Sequence, residues 1–376
     1  MKSLLAVGLC AAALAADDLP RGQVLEHVTV QGDASQSYAL YVPTSYDPAR
    51  RWPVLYCLDP GARGRIPVER FSKAAENAGF IVVGSNNSQN GPAEPAKEAL
   101  RWMLADTHAR LSIDDSRLYA AGFSGGARMA LAWASNGLVA GVIACGAGFG
   151  GGRVPQDVPF KFFATAGVDD FNYDELYRTS LELARRETPH RFVEFVGGHE
   201  WLPPELASEA LEFFQGRVRA RAAQPSKEQE RLAARFEMLA AQARSADGRA
   251  TIERLRNEAA MASDSPERRI ARRVMAVTYI SQLETSRELL RNREYAEAAQ
   301  LCENAVIVQP ENGGAWFALA VAQAAAGNKI RALEALETAA ARGFQNASRL
   351  EGEPLLDSVR DDSRYKAVLR KLGENH

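Results

Sequence analysis

The chain has few cysteines and histidines, and its charges nearly cancel. It contains four cysteines and five histidines among 376 residues. The cysteines are few and scattered, which disfavours both a disulfide framework and a metal site. The 45 Lys and Arg residues face 47 Asp and Glu residues, a formal net charge of -2. This balance indicates neither a nucleic-acid partner nor a polybasic membrane patch.

Long apolar runs are absent after the first residues. Lys2 precedes an apolar run over residues 4–14, and Ala-Leu-Ala stands at residues 13–15. This pattern is typical of a secretory signal, which we place at residues 1–16, so a secreted or periplasmic protein is expected. The alternative, an N-terminal core helix, is disfavoured because Asp-Asp-Leu-Pro at residues 17–20 would end it. No later stretch reaches the length of a membrane span.

Apolar strands alternate with helices between residues 17 and 219. An antiparallel hairpin is predicted over residues 24–30 and 37–42. The strands after it are continuously apolar, which predicts a mostly parallel sheet with helices on both faces. In such sheets the catalytic and ligand-binding residues lie at the carboxyl ends of the strands. The later strands are predicted at residues 54–58, 80–83, 118–121, 139–144, 160–164 and 192–196, and the helices at residues 68–78, 94–109, 127–134, 174–186 and 205–219.

A serine bracketed by glycines follows the strand at residues 118–121. The sequence Gly-Phe-Ser-Gly-Gly at residues 122–126 places glycines two residues before and after Ser124. This spacing is typical of a nucleophile elbow, where the serine occupies a strained turn and glycines remove colliding Cβ atoms. Ser124 is therefore a candidate nucleophile. The backbone N–H of Gly125, at the start of the next helix, is a candidate oxyanion donor.

Two later strands also end in polar residues. Gly-Val-Asp-Asp stands at residues 167–170, and Gly-Gly-His at residues 197–199. The chain order of serine, acid and histidine is that of the α/β-hydrolase triad, and residues 17–219 resemble that family. The closest likeness is to secreted esterases of the polyhydroxybutyrate depolymerase, feruloyl esterase and dienelactone hydrolase kind. The residues that carry it are 37–43, the elbow, and the glycine pair before His199.

The resemblance implies roles for these residues. Ser124 would attack an acyl carbonyl, and His199 would accept and return its proton. The family usually places the acid three residues after the glycine, which favours Asp170 over Asp169. Such a triad needs no metal or organic cofactor. The expected substrate is an ester, aryl or polymeric, because the link over residues 146–159 is too short for a helical lid and the site should be open.

The second oxyanion donor departs from the family pattern. Many relatives have a His-Gly turn after the strand at residues 54–58, whereas this chain has Asp-Pro-Gly-Ala at residues 59–62. Proline has no N–H, so the donor must come from Asp59, Gly61 or Ala62, and Gly61 or its neighbour is preferred. Three further residues are candidates for the substrate pocket. Asp59 is either a turn-former or part of the pocket rim, Asn86 either lines the pocket or belongs to an ordinary polar loop, and Trp201 is either an aromatic wall or core packing.

Residues 220–376 are predicted to form an all-α domain. Trp316, Gly327 and Ala332 fall at the spacings of a tetratricopeptide unit, and a second unit is in register 34 residues earlier. The repeats are best matched over residues 279–344; the alternative is a plain helical bundle. We expect binding of a protein partner here and no catalytic group.

Three functions stay open from the sequence. The first is a secreted serine esterase with an α/β-hydrolase domain followed by a tetratricopeptide-like domain. The second is a serine peptidase or acyltransferase on the same fold. The third is a helical-repeat interaction protein whose hydrolase domain is not catalytic. The presence of Ser124, an acid and His199 together disfavours the third function, because a hydrolase domain that has lost its catalytic function tends to lose the serine or the histidine.

Overall fold

The computed structural model describes residues 19–91, 93–150, 153–220, 225–245, 248–261 and 264–373. Contacts divide the chain into two compact units, with the division between Ser226 and Lys227. We call residues 1–226 the sheet unit and residues 227–376 the helical unit. The sequence-based boundary after Arg219 lies slightly earlier in the chain. The predicted signal, residues 1–16, lies outside the described residues.

Eight strands of the sheet unit form one sheet in the order β1-β2-β4-β3-β5-β6-β7-β8. The pairs β1–β2 and β2–β4 are antiparallel, and all other neighbours are parallel. The predicted mostly parallel sheet is confirmed. The strands are β1 Val24–Val30, β2 Asp33–Tyr41, β3 Trp52–Leu58, β4 Ile81–Ser85, β5 Ile113–Phe123, β6 Gly141–Cys145, β7 Lys161–Gly167 and β8 His190–Phe195.

Helices cover both faces of the sheet. Alternate residues of β3 show this: Tyr56 and Leu58 belong to the core cluster with α2, α3 and α4, whereas Leu55 and Cys57 belong to the cluster with α1 and α5. Because side chains of a strand alternate between its faces, an entirely apolar strand indicates burial on both sides. The helices are α1 Arg65–Ala78, α2 Ala93–Arg110, α3 Gly125–Ser135, α4 Tyr173–Arg185 and α5 Pro204–Phe214.

Several predicted element ends in the sheet unit were wrong, and the two largest errors are at the start of β5 and the end of α5. β5 begins at Ile113 instead of residue 118, because it pairs with β3 across an irregularity in register that admits the polar stretch before Leu118. Helix α5 ends at Phe214 instead of residue 219. Gly216 follows it with φ of 74°, a left-handed conformation that ends a helix.

The regular elements of the helical unit, over its described residues, are all helices. Its cores use small residues where helices pack closely; Ala332, Ala335 and Ala339 of α11 are buried, and Gly313 opens α10. The tetratricopeptide assignment over residues 279–344 remains a prediction. No helix of the described ranges combines the length and apolar composition that a membrane crossing needs. The helices are α6 Lys227–Arg244, α7 Gly248–Ala259, α8 Pro266–Arg291, α9 Tyr295–Val308, α10 Gly313–Ala325, α11 Lys329–Ala341, α12 Ala347–Glu351, a 3-10 turn at Pro354–Val359, and α13 Ser363–Gly373.

Candidate active site

The parallel strands bring three polar loops to one edge of the sheet. Ser124 directly follows β5, Asp170 lies in the loop after β7, and His199 lies in the loop after β8. The strands β5, β6, β7 and β8 are consecutive parallel neighbours, so their carboxyl ends lie side by side. The sheet thereby gathers residues that are far apart in sequence.

The turn at Ser124 has the strained geometry that its glycines predict. Ser124 has φ of 52° and ψ of −121°, and its N–H donates to the Cys145 carbonyl at 2.9 Å. A Cβ atom on Gly122 would lie 2.2 Å from the Gly126 carbonyl oxygen, and one on Gly126 would lie 2.0 Å from the Leu58 carbonyl oxygen. Only glycine at both positions lets α3 approach the sheet this closely. The half-buried Ser124 side chain stands at the turn between strand and helix.

His199 bridges the serine and the acid. Its Nδ1 lies 2.9 Å from Asp170 Oδ1, and its Nε2 lies 3.0 Å from Ser124 Oγ. An ionised carboxylate can only accept, so the Nδ1–H donates to Asp170 and the Nε2 lone pair accepts from the serine hydroxyl. Asp170 Oδ1 also accepts from the Asn172 N–H at 2.7 Å. The structure thus brings Asp170 to His199, whereas Asp169 binds Gly197 through its N–H.

Two aromatic rings pack against the imidazole of His199. The ring centroid of Phe171 lies 4.0 Å from that of His199, and the ring centroid of Phe123 lies 4.6 Å from it. Rings packed this closely restrict rotation of the imidazole. Phe171 was missed in the sequence analysis, although its position directly after Asp170 is a usable signal.

The loop after β6 approaches the acid closely. Gly146 has φ of 63°, and a Cβ atom there would lie 2.9 Å from Asp170 Oδ2 and 3.1 Å from His199 Nδ1. The Asn172 amide donates to the Gly146 carbonyl at 2.8 Å. A larger residue at 146 would displace the acid or the imidazole, so Gly146 is a structural requirement of the site.

The loop after β3, residues 59–64, does not present the predicted donor. The Gly61 N–H donates to Asp59 Oδ1 at 2.9 Å, and the Ala62 N–H donates to the Asp59 carbonyl at 3.1 Å. Both amides are therefore used within the loop, in the kind of turn that an aspartate side chain builds on its own backbone. Pro60 has no N–H. The expectation that Gly61 supplies the second oxyanion donor disagrees with this geometry.

Asp59 and Trp201 join this loop to the histidine loop. The Trp201 Nε1–H donates to Asp59 Oδ2 at 2.8 Å, and the Arg63 Nε–H donates to Asp59 Oδ1 at 2.7 Å. Asp59 is fully buried, Trp201 is 3% exposed, and the indole packs on Phe71 and Phe123. Hydrogen bonding to this carboxylate raises the pKa of Arg63. Both of these pocket candidates are therefore buried and hydrogen-bonded within the fold. Trp201 lies two residues after His199.

Asn86 also has its side chain engaged with the fold. Its Nδ2 donates to the Glu26 carbonyl at 3.0 Å and to Ser37 Oγ at 3.3 Å. These bonds join the end of β4 to β1 and β2. The amide predicted to line a pocket therefore serves to join strands.

Serine is the nucleophile that this edge of the sheet offers. Cys145, whose carbonyl accepts the Ser124 N–H, has a fully buried side chain. Burial raises the pKa of Cys145 to about 11, so its thiol stays protonated at neutral pH and is a poor nucleophile. Among the described residues, no three His, Cys, Asp or Glu side chains are arranged to hold a metal ion.

Several solved structures are similar to part of this chain. A ferulic acid esterase is 16% identical with a TM-score of 0.43, covering 52% of this chain and 99% of its own. The fluorophosphonate-binding serine hydrolase F of Staphylococcus aureus is 14% identical with a TM-score of 0.40, covering 51% and 96%. An esterase of Pyrobaculum calidifontis is 16% identical with a TM-score of 0.43, covering 54% and 88%. Neither a protein-family model nor a curated protein matches. At these identities and TM-scores the likeness carries no conclusion about activity, which has to come from the side chains around Ser124.

Proposed function

We propose that this chain is a serine hydrolase that cleaves carboxylic esters through an acyl-enzyme. The observation that carries the proposal is the position of His199, within hydrogen-bonding distance of both Ser124 and Asp170. A serine hydroxyl is a weak nucleophile unless a base takes its proton, and a base works best when a third group fixes its tautomer. Both conditions are met in this arrangement, by His199 and by Asp170.

The reaction follows from the hydrogen bonds. Ser124 Oγ attacks the acyl carbon while His199 Nε2 takes the hydroxyl proton, and Asp170 stabilises the imidazolium that forms. The tetrahedral intermediate collapses, and His199 returns the proton to the departing alkoxide. Water then attacks the acyl-serine, His199 takes a proton from it, and the acid leaves as that proton returns to Ser124 Oγ. No proton is gained or lost by the protein over the cycle.

Ester hydrolysis is favoured over peptide hydrolysis and over acyl transfer. An alkoxide leaves far more readily than an amine, so an ester needs only the triad, the oxyanion donors and a groove. The described residues of the 146–159 link contain no α-helix that could close over Ser124 and exclude water, which a transferase would need. An open site suits an aryl or polymeric ester. The intact geometry of the three residues also speaks against a merely non-catalytic platform.

A labelling experiment combined with matched substrates tests this proposal. A fluorophosphonate probe should label the wild-type chain at Ser124, and Ser124→Ala should abolish labelling and lower turnover of an aryl ester by about 10⁵-fold or more. The control is Ser72→Ala, because the Ser72 hydroxyl is bonded within α1 to the Glu69 carbonyl.

The same preparation distinguishes an esterase from a peptidase. The kcat/KM for an aryl ester should exceed that for the matched aryl amide. An equal or higher value for the amide would replace the esterase proposal with a peptidase. Labelling that persists in Ser124→Ala would refute the nucleophile itself.

The proposal extends to location and to the helical unit. Residues 1–16 would direct secretion or export to the periplasm, and N-terminal sequencing of exported protein should begin near Asp17. The helical unit would be a tetratricopeptide-like array that binds a protein partner, supported by the close packing of α10 and α11 around small residues. A cytosolic protein that keeps residues 1–16 would contradict the first part of this extension.

A further inference from the structure

The loop after β4, residues 86–91, lies on the loop after β3. The Asn90 N–H donates to the Pro60 carbonyl at 2.9 Å, and Gln89 forms an antiparallel bridge with Gly61. These backbone bonds fix the position of Asn90 relative to residues 59–62. The loop that the sequence analysis placed near the site therefore does reach it, although through Asn90 and not through Asn86.

The Asn90 carboxamide lies directly against Gly125. A Cβ atom built on Gly125 would lie 1.8 Å from Asn90 Oδ1 and 2.8 Å from its Cγ. The Asn90 carboxamide thus occupies the space into which a side chain at 125 would extend. Asn90 is exposed, and within the described part of the chain its carboxamide has no hydrogen-bond partner. An unused polar group thus stands beside the residue that follows the nucleophile.

In the described loop after β3, the Gly61 and Ala62 amides that could serve as the second oxyanion donor already have partners. Gly125 is the first residue of α3, so its N–H has no carbonyl within the helix to bind and is free for an oxyanion. The Gly61 and Ala62 N–H groups both donate to Asp59, and Pro60 has none. Stabilising a tetrahedral oxyanion generally takes two donors or more. The side chain nearest to Gly125 on this side is that of Asn90.

We propose that Asn90 is a catalytic residue whose Nδ2–H₂ donates, together with the Gly125 N–H, to the oxyanion of the acyl intermediate. The proposal rests on the proposed serine-hydrolase function. When Ser124 Oγ bonds to the acyl carbon, the π electrons of the carbonyl move onto its oxygen, and the two donors stabilise that charge. The electrons re-form the carbonyl as the alkoxide leaves with the proton of His199. Asn90 itself neither gains nor loses a proton, since its amide is neutral throughout.

The Asn90 side chain is suited to this role by its attachment. Its backbone is held by the Pro60 carbonyl, and rotation about its last side-chain bond can present either amide atom to a group above Gly125. Because the backbone of Asn90 is fixed, only the carboxamide has to turn when the charge develops, and less reorganisation makes a donor more effective. Loss of one such donor typically lowers kcat by about 10²–10³-fold.

The test compares Asn90→Ala, Asn90→Asp and the control Gln89→Ala. Gln89 is exposed in the same loop, and its bridge to Gly61 uses only the backbone. For an aryl ester, Asn90→Ala should lower kcat by about 10²–10³-fold with KM changed by less than about threefold, because the donor acts in the transition state. Asn90→Asp should be at least as impaired, since it replaces the donor with a negative acceptor. Gln89→Ala should match the wild type in both constants.

Two readouts separate this proposal from the proposed function. The fluorophosphonate should still label Ser124 in Asn90→Ala, more slowly and to completion, and the melting temperature should match that of Gln89→Ala. If Ser124 is not labelled in the wild type, the serine-hydrolase proposal fails. If it is labelled but kcat of Asn90→Ala stays within about threefold of wild type, or only KM rises, the assignment of Asn90 as oxyanion donor is overturned. Should Asn90→Ala fold poorly, Asn90→Ser must show the same loss of kcat, because its shorter hydroxyl does not replace the amide.

Discussion

The sheet unit and the helical unit differ in the burial of their Asp and Glu side chains. Four carboxylates of the sheet unit are buried, among them Asp59 and Asp170 at strand ends, whereas the buried polar residues described in the helical unit include none. Its carboxylates lie on helix faces, as in the pair Glu337–Arg364, whose side chains are 46% and 37% exposed. A buried carboxylate costs several kcal/mol unless donors surround it, so it persists where structure or chemistry requires it.

The topology of each unit explains the difference. A parallel sheet returns every strand end to the same edge, so loops distant in sequence meet there and can supply one another with donors and acceptors. A helical array packs neighbours in sequence against each other through small residues, and polar groups stay on the outer faces. Chemistry is therefore expected in the first unit and recognition in the second.

After the loss of Ser124 itself, the largest effect is expected at the acid. Asp170→Asn should keep the shape of the site but lower kcat for an aryl ester by about 10⁴-fold, because an amide beside His199 Nδ1 stabilises the wrong tautomer. The matched control is Asp169→Asn, one residue earlier in the same turn, where only a mild loss is expected. Steady-state kinetics with melting curves of both variants measure this. The reverse ranking would assign the acid to Asp169 and would show that the Asp170–His199 hydrogen bond is not needed for catalysis.

The sequence predicted those parts of the site that depend on local pattern. Gly122, Ser124 and Gly126 occupy a turn whose geometry is set by residues next to each other, and the alternation of strands and helices implied that their loops meet at one edge. The partner of each donor could not be predicted, because several acceptors compete for it. The Gly61 N–H donates to Asp59 within its own loop, and the Trp201 indole donates to the same carboxylate from the loop after β8.

Two further differences have the same physical origin. Asn86 and Asn90 belong to one polar loop and look alike in sequence, yet the first joins strands and the second lies on Gly125. The direction of the loop, set by the Asn90–Pro60 backbone bond, decides between them. The end of α5 could have been read from Gly216, since glycine after an apolar helical run often ends a helix.

A smaller effect is expected in alkaline solution from the two buried thiols of the sheet unit. Burial raises the pKa of Cys145 from 9.0 to about 11 and that of Cys57 well above 9.0. A raised pKa in the folded state means that the stabilisation is complete below pH 9 and is lost as the pH rises towards 11. For Cys145 this loss is about 3 kcal/mol in the free energy of unfolding. Denaturant unfolding at pH 8, 9, 10 and 11, followed by tryptophan fluorescence, measures it.

Single substitutions assign the alkaline effect to its unit. Cys145→Ala should weaken the dependence on pH between 9 and 11, because alanine has no thiol to ionise. Cys302→Ala, in the helical unit, should leave the fluorescence transition of the sheet unit unchanged, since four of the five tryptophans precede residue 227. An unaltered pH dependence in Cys145→Ala would show that another group, such as a buried tyrosine, controls alkaline unfolding.

The smallest effect is expected from removing the helical unit altogether. Ser124, Asp170, His199 and Asn90 all precede Ser226, where the contacts divide the chain. A chain ending at Ser226 should therefore hydrolyse a small soluble ester with kcat/KM within about threefold of the full chain, because every transition-state contact proposed for it is kept. Full-length Ser124→Ala serves as the inactive reference. A shortened chain that is well folded by melting curve and circular dichroism yet inactive would mean that the helices complete the active site, and the division of chemistry and recognition between the two units would fail. If activity on the small ester is kept while activity on a polymeric ester falls, the helical unit binds the polymeric substrate. It then contributes to substrate binding and supplies no catalytic group.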